Sequence, residues 1–183
     1  MPTPLPVRAA AGSTRWSSFG NPSSNHQFGR KAKTILESSR KQIAKVLNCE
    51  AFEIYFTSGG TEAANLILHN AVKNLKVQRI ISAKIEHPAV LYTLPGLQKQ
   101  YGTKVQFVNL LPGGNIDTEH LESLLNEPTP TLVSLMMVNN EIGNILPMET
   151  VADLCKKYNA YFHSDCVQSV GHMQVDLKKI QVD

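Results

Sequence analysis

Cysteine is scarce in this chain: three occur in 183 residues, Cys49, Cys155 and Cys166, with no C-x-x-C spacing. An odd, unpaired set excludes a disulfide framework and suits free thiols in a reducing compartment. Long apolar runs are lacking too. Each is broken within a few residues by Asn, Lys or Gly, well short of the roughly 20 residues of a membrane span. Charge of one sign is not in excess, since 18 basic against 15 acidic residues leave a net +3. With no basic stripe interleaved with aromatics, no nucleic acid partner is expected. No Asp or Glu precedes Glu37, whereas Arg8, Arg15, Arg30, Lys31 and Lys33 do. Organelle transit peptides share that bias, but Pro2, Pro4, Pro6 and Gly12 oppose an amphipathic helix. Residues 1–18 therefore read as a divergent, poorly ordered start, and the cytoplasm is the expected compartment.

Two nucleotide fingerprints are also missing. There is no G-x-G-x-x-G with an acidic residue about 20 positions on, and no Gly-Lys-Ser or Gly-Lys-Thr. What the chain does contain, from residue 27 onward, is an alternation of helical and extended patterns with short connections. Ala32, Ile35, Leu36, Ile43, Val46 and Leu47 recur at helical spacing, which predicts a helix over about Gln27 to Leu47. Strands are expected at Arg79–Ala83, Val105–Leu110, Thr131–Met136 and Ala160–His163. Helices are expected to carry Ala64, Leu66, Ile67 and Ala71, to follow Pro88, to follow an Asp117 cap, and to carry Val151, Leu154 and Cys155. The pattern implies one α/β domain over residues 19–183, with a mostly parallel sheet flanked by helices.

The stretch Ile54 to Asn65 reads as a strand, a glycine turn and a helix start. Gly59 and Gly60 let the backbone approach an anion, and the helix beginning near Thr61 offers unpaired N–H groups and the positive end of its dipole. Ser58, Thr57 and Thr61 add hydroxyls. A glycine turn of this kind is common to α/β proteins, so its neighbours decide its meaning. In buried parallel sheets ligands collect beyond the carboxyl ends of the strands. There the sequence places four polar clusters: Thr57–Thr61, Glu86-His87, Asn139-Asn140-Glu141, and Asp165 with Gln168. A ligand with a phosphate and a flat polar ring suits them. Asp165 would need a cation such as a protonated ring nitrogen, His87 could stack on the ring, and Asn140 and Gln168 could bond a ring hydroxyl.

These motifs resemble the cysteine desulfurase and selenocysteine lyase family, pyridoxal-phosphate enzymes of the class V aminotransferase group. The matching stretches are Phe19 to Ser24 with His26, Phe56 to Asn65, Glu86-His87-Pro88, Val138 to Gly143, and His163 to Gln168. The resemblance implies the large domain of a fold-type I enzyme. It gives Gly60 and Thr61 to the phosphate of pyridoxal 5'-phosphate, His87 to the ring face and to proton transfer, Asn140 and Gln168 to the ring oxygen, and Asp165 to the pyridinium nitrogen. It also implies L-cysteine as substrate, alanine and an enzyme persulfide as products, and a sulfur-acceptor or scaffold protein for iron–sulfur or thio-cofactor assembly. A homodimer is implied as well. Selenocysteine lyase is the alternative.

Plainer roles stand beside these. Asp165 could cap a turn, Thr61 could simply start a helix, and Asn139 reads as a structural neighbour of Asn140, with Glu141 fixing the loop. His26, His69, His120 and His172 lack comparable motifs, and the three cysteines read as structural thiols. The family's cofactor-anchoring lysine follows a His about two dozen residues beyond the Asp, whereas eighteen residues follow Asp165 here. Lys178 and Lys179 come too early to take its place. The lysine, the catalytic cysteine and the small domain are thus expected to be missing. An inactive fragment, or one piece of a split enzyme, is the other expectation.

Overall fold

A computed structural model describes residues 20–183. The segment expected to be divergent, 1–18, and Phe19 of the first motif lie outside the described residues. The chain forms two compact units. One runs through Phe56 and includes Val170–Lys178, and the other comprises Thr57–Ser169 with Lys179–Asp183.

The first unit is built on helix α1, Gln27–Leu47, whose bounds match the expectation from apolar spacing. His26 starts it by accepting the Gly29 N–H on Nδ1 at 3.2 Å. Asn48 stops it in the left-handed region, at φ 56°, which Asn tolerates better than most side chains. A short turn, Ala51–Glu53, follows. The next three residues, Ile54 to Phe56, were expected to form the strand leading into the glycine turn, but among the described residues they pair with no strand. Ile54 is extended, and its carbonyl accepts from the Arg40 guanidinium, which also lies 5.0 Å from the Phe56 ring centroid. An arginine takes the place of a neighbouring strand, and Tyr55 stands 82% exposed.

The second unit runs α2 (Gly60–Lys73), β1 (Arg79–Ser82), α3 (Pro88–Leu91), α4 (Leu94–Tyr101), β2 (Lys104–Phe107), α5 (Thr118–Leu125), β3 (Thr131–Ser134), α6 (Met148–Lys157) and β4 (Tyr161–His163). The four strands make an all-parallel sheet in the order β2-β1-β3-β4. The α/β class is therefore as the sequence indicated. Central strands β1 and β3 are buried along their whole length, which accounts for their unbroken apolar runs, while β2 and β4 at the edges are partly exposed. Leu68 of α2, Val90, Leu94 and Leu97 of the α3–α4 segment, Ile80 and Leu132 form one core cluster.

Three local differences from the expected elements have physical causes. The helix after Pro88 splits into α3 and α4, because Pro95 has no N–H for the carbonyl of Leu91 and its ring crowds that turn. The expected helix cap is present, with Asp117 Oδ1 accepting from His120 N at 3.0 Å. Strands β2 and β3 end at Phe107 and Ser134, earlier than their apolar runs suggest. Ladder bonds nonetheless continue beyond them: Leu135 N donates to His163 O at 3.2 Å and Met137 N to Asp165 O at 2.9 Å. Those bonds carry the chain out of the sheet in fixed register, and so position the residues that follow.

The amino ends of the strands are fastened by Arg79, which is fully buried. Its Nε donates to Thr131 Oγ1, Nη1 to Leu124 O and Glu127 Oε2, each at 2.9 Å, and Nη2 to Glu127 O at 3.1 Å. The carboxyl ends are left for a site. The chain leaves β1 towards β2 on one side and leaves β3 towards β4 on the other. That reversal opens a crevice between the ends of β1 and β3.

Candidate cofactor site

Three of the four polar clusters follow strands: Glu86-His87 after β1, Asn139-Asn140-Glu141 after β3, and Asp165 with Gln168 after β4. The fourth, the glycine turn, follows no strand and instead opens α2. Its residues still reach the same place. Gly60, Thr61, His87, Asn140, Asp165 and Gln168 line one cleft of about 180 Å³, with Met136 and Val167 as its apolar wall. Clefts for drug-sized ligands span roughly 300–1,000 Å³, so this one suits a single ring with a small appendage.

At the glycine turn the first helical bond runs from Ala63 N to Gly59 O, at 3.1 Å. The N–H groups of Gly60, Thr61 and Glu62 therefore have no partner within the helix and sit at its positive end. The hydroxyls are less free than the sequence suggested. Ser58 donates both its N–H and its Oγ to Glu62 Oε2, each at 2.6 Å, and Thr57 Oγ1 donates to Gly59 O at 3.1 Å. The Ser58 hydroxyl, then its backbone N–H, hold the Glu62 carboxyl below its ordinary pKa. Ser58 and Thr57 thus shape the turn, and Thr61 is the hydroxyl residue that lines the cleft. A Cβ placed on Gly60 would lie 2.9 Å from Val167 Cγ2, so a larger residue there would require the Val167 side chain to shift.

His87 is the cap of α3. Its Nδ1 accepts the Ala89 N–H at 3.1 Å, and Pro88 occupies the first helical position, where a missing N–H costs nothing. With Nδ1 engaged as an acceptor, the neutral ring carries its proton on Nε2. Asp165 Oδ1 accepts from Val167 N at 2.9 Å, so the turn-capping role considered for it is real and coexists with its place in the cleft. Asn140 Nδ2 donates to Glu141 Oε1 at 2.7 Å. Asn139 is structural, as the sequence suggested. It is 5% exposed, donates to Ile85 O at 2.7 Å and accepts from Glu141 N and Ile142 N.

Sequence reasoning did not single out Met136 and Val167, which extend apolar runs and carry no polar signal. It named Glu86 in the Glu86-His87 cluster but gave it no role of its own; the residue is 5% exposed and accepts the Met136 N–H on Oε1 at 3.0 Å. Burial pushes the Glu86 pKa up to about 8, against the Met136 bond and with help from the Asp165 charge. Burial also holds His163 below its ordinary pKa, with Ser134 Oγ 3.0 Å from its Nδ1. The Cys155 thiol is pushed up to about 12 by burial, which makes it inert. Among the described residues, no lysine or cysteine lines the cleft.

These features fit pyridoxal phosphate: helix-end N–H groups at a glycine that sits close against Val167, a histidine with one ring nitrogen fixed, two amides, and a carboxylate. Compared with known proteins, residues 2–183 match the aminotransferase class-V family. The chain belongs to that family. It is 41% identical over 167 residues to cysteine desulfurase IscS of Clostridium botulinum (strain Kyoto / Type A2), an overlap of 90% of this chain and 42% of that relative. Among solved structures it is similar to a NifS-like protein, with a TM-score of 0.88 and 38% identity over 97% of this chain and 49% of the other. It is also similar to a structure described as SspA in complex with cysteine, with a TM-score of 0.86, 30% identity, and 97% and 51% coverage. The chain thus spans about half the length or less of these class-V relatives. Among the described residues no helix is long and apolar enough to cross a membrane.

Proposed function

We propose that these residues form the cofactor-seating part of a pyridoxal-phosphate-dependent cysteine desulfurase. The observation that carries the reading is that Gly60, Thr61, His87, Asn140, Asp165 and Gln168, drawn from four separate segments, line one cleft. The similarity to IscS of C. botulinum and to SspA in complex with cysteine supports the reaction class.

The N–H groups of Gly60 and Thr61 would hold the phosphate, Asn140 and Gln168 the ring oxygen, and Asp165 the ring nitrogen. Bound there, pyridoxal phosphate would supply an electron sink for breaking bonds at the substrate's α-carbon. Asp165 would hold a proton on the ring nitrogen, and one of its oxygens is already oriented by Val167 N. His87 would lie against the ring face. Because its Nδ1 is held by Ala89 N, it can present a proton through Nε2, and it can take one at Nδ1 only by giving up the cap of α3. The substrate is L-cysteine, the products are alanine and a protein persulfide, and a sulfur-acceptor protein in a reducing compartment completes the function. The subunits pair as homodimers.

A second reading has its own observation. With no amine or thiol among the described residues that line the cleft, these residues would hold the cofactor without covalent attachment, and turnover would need a lysine and a cysteine supplied elsewhere. Alanine release from L-cysteine in the presence of pyridoxal phosphate and a thiol reductant tests both. Release that falls at least tenfold in His87→Ala supports desulfurase action by this site. No release, with saturable cofactor binding, supports the seat alone. Release unchanged in His87→Ala contradicts the assignment of the cleft.

A further inference from the structure

Beside the cofactor cleft lies a second, much smaller one of about 20 Å³, lined by Glu86, Asn115, Asn139, Asn144 and apolar residues. Met136 lines both. The space matches a single water, which requires about 10–15 Å³ and two to four polar partners. Glu86 faces this space with 5% exposure. Its Oε1 accepts from Met136 N at 3.0 Å, and its Oε2 is buried with no partner among the described residues. An ionised carboxylate left in that position would be costly, whereas a neutral acid with its proton on Oε2 has a donor to offer.

We propose that Glu86 is a positioning residue of the cofactor cleft: a neutral acid whose Oε1 fixes the Met136 backbone and whose Oε2–H donates to one ordered water held against Asn115 and Asn144. The clamp ties the exit of β1 to the exit of β3 across the crevice, immediately before His87. Its elevated pKa, about 8, agrees with a proton retained at neutral pH. The inference concerns the wall of the cleft, and its link to cofactor affinity rests on the pyridoxal-phosphate reading above.

The test compares wild type, Glu86→Gln and Glu86→Leu in the 183-residue chain. Gln supplies an acceptor for Met136 N and a donor for the water, while Leu has similar bulk and neither group. Hydrogen exchange of the Met136 amide reads the clamp without any cofactor, and titration with pyridoxal phosphate reads the cleft. The expected result is that Gln keeps Met136 protected and binds within about threefold of wild type, and that Leu loses the protection and about tenfold in affinity. Equal protection in Leu and wild type would overturn the proposal. Loss in Gln equal to that in Leu would also overturn it, since it would show that an ionised carboxylate is required. If wild type binds no pyridoxal phosphate, the cofactor reading fails while the exchange order still decides the role of Glu86.

Discussion

Glu86 and Gly60 show how single residues set the wall of the cleft. For Glu86 the linkage has a definite sign. Its pKa is about 8 in the folded chain and returns to about 4.5 on unfolding, so the folded state holds the extra proton between those values. Its contribution to stability is complete below about pH 4.5, declines as pH rises, and is gone above about pH 8. Glu86→Gln should remove this dependence. Measured by denaturant unfolding from pH 5 to 8.5, the stability of Glu86→Gln relative to wild type should rise with pH, by on the order of a few kcal/mol across the window. A constant difference would contradict the buried acid. At Gly60 the constraint is steric. Gly60→Ala should weaken pyridoxal phosphate binding about tenfold, because its Cβ must displace Val167 Cγ2 from 2.9 Å. Gly60→Ala with Val167→Ala should recover most of the loss, whereas no recovery would place the defect in the backbone of the turn. The sequence could name Gly60, which stands in a motif, but not Val167, since nothing in an apolar residue between Asp165 and Gln168 announces what it faces.

At the scale of elements, helices were more legible than strands. Helix α1 was legible along its length because its apolar spacing runs over many turns, and it ends at Asn48. The cap at Asp117 was legible from one residue type ahead of a leucine pattern. The Ile54–Phe56 triplet was not, because a short apolar run looks the same whether its carbonyls meet a strand or, as here, Arg40. Arg79 was equally hidden. In the sequence it is a charge at the start of a strand, and only the fold brings Thr131, Leu124 and Glu127 around it. Replacing it should cost far more than a surface charge. Arg79→Met is expected to destabilise the chain by about 2–3 kcal/mol, since it takes the buried donor away from the Leu124 and Glu127 carbonyls, while the Glu127 carboxylate keeps Lys104 at 3.0 Å. A change below about 1 kcal/mol in chemical denaturation would show that the network is incidental.

For the molecule as a whole, the order β2-β1-β3-β4 turns scattered motifs into a site. His87, Asn140 and Asp165 are far apart in sequence, yet each follows a strand of one parallel sheet, and the ladder bond from Met137 N to Asp165 O sets two of those exits side by side. The rule that ligands gather at carboxyl ends made this much legible from the sequence. The arrival of the glycine turn was not, because it reaches the cleft from the start of α2 without a strand of its own. The reversal of winding between β1 and β3 needed the sheet order, which strand patterns alone do not contain. The central claim is that this cleft seats pyridoxal phosphate with Asp165 at the ring nitrogen and no covalent anchor on the wall. It is tested most directly by titrating the purified 183-residue chain with pyridoxal phosphate, following the cofactor's absorbance, and then treating with borohydride. The expected result is saturable binding, about tenfold to a hundredfold weaker in Asp165→Ala, with the cofactor washing off after reduction. Equal binding in Asp165→Ala, or a borohydride-fixed adduct on Lys178 or Lys179, would contradict it.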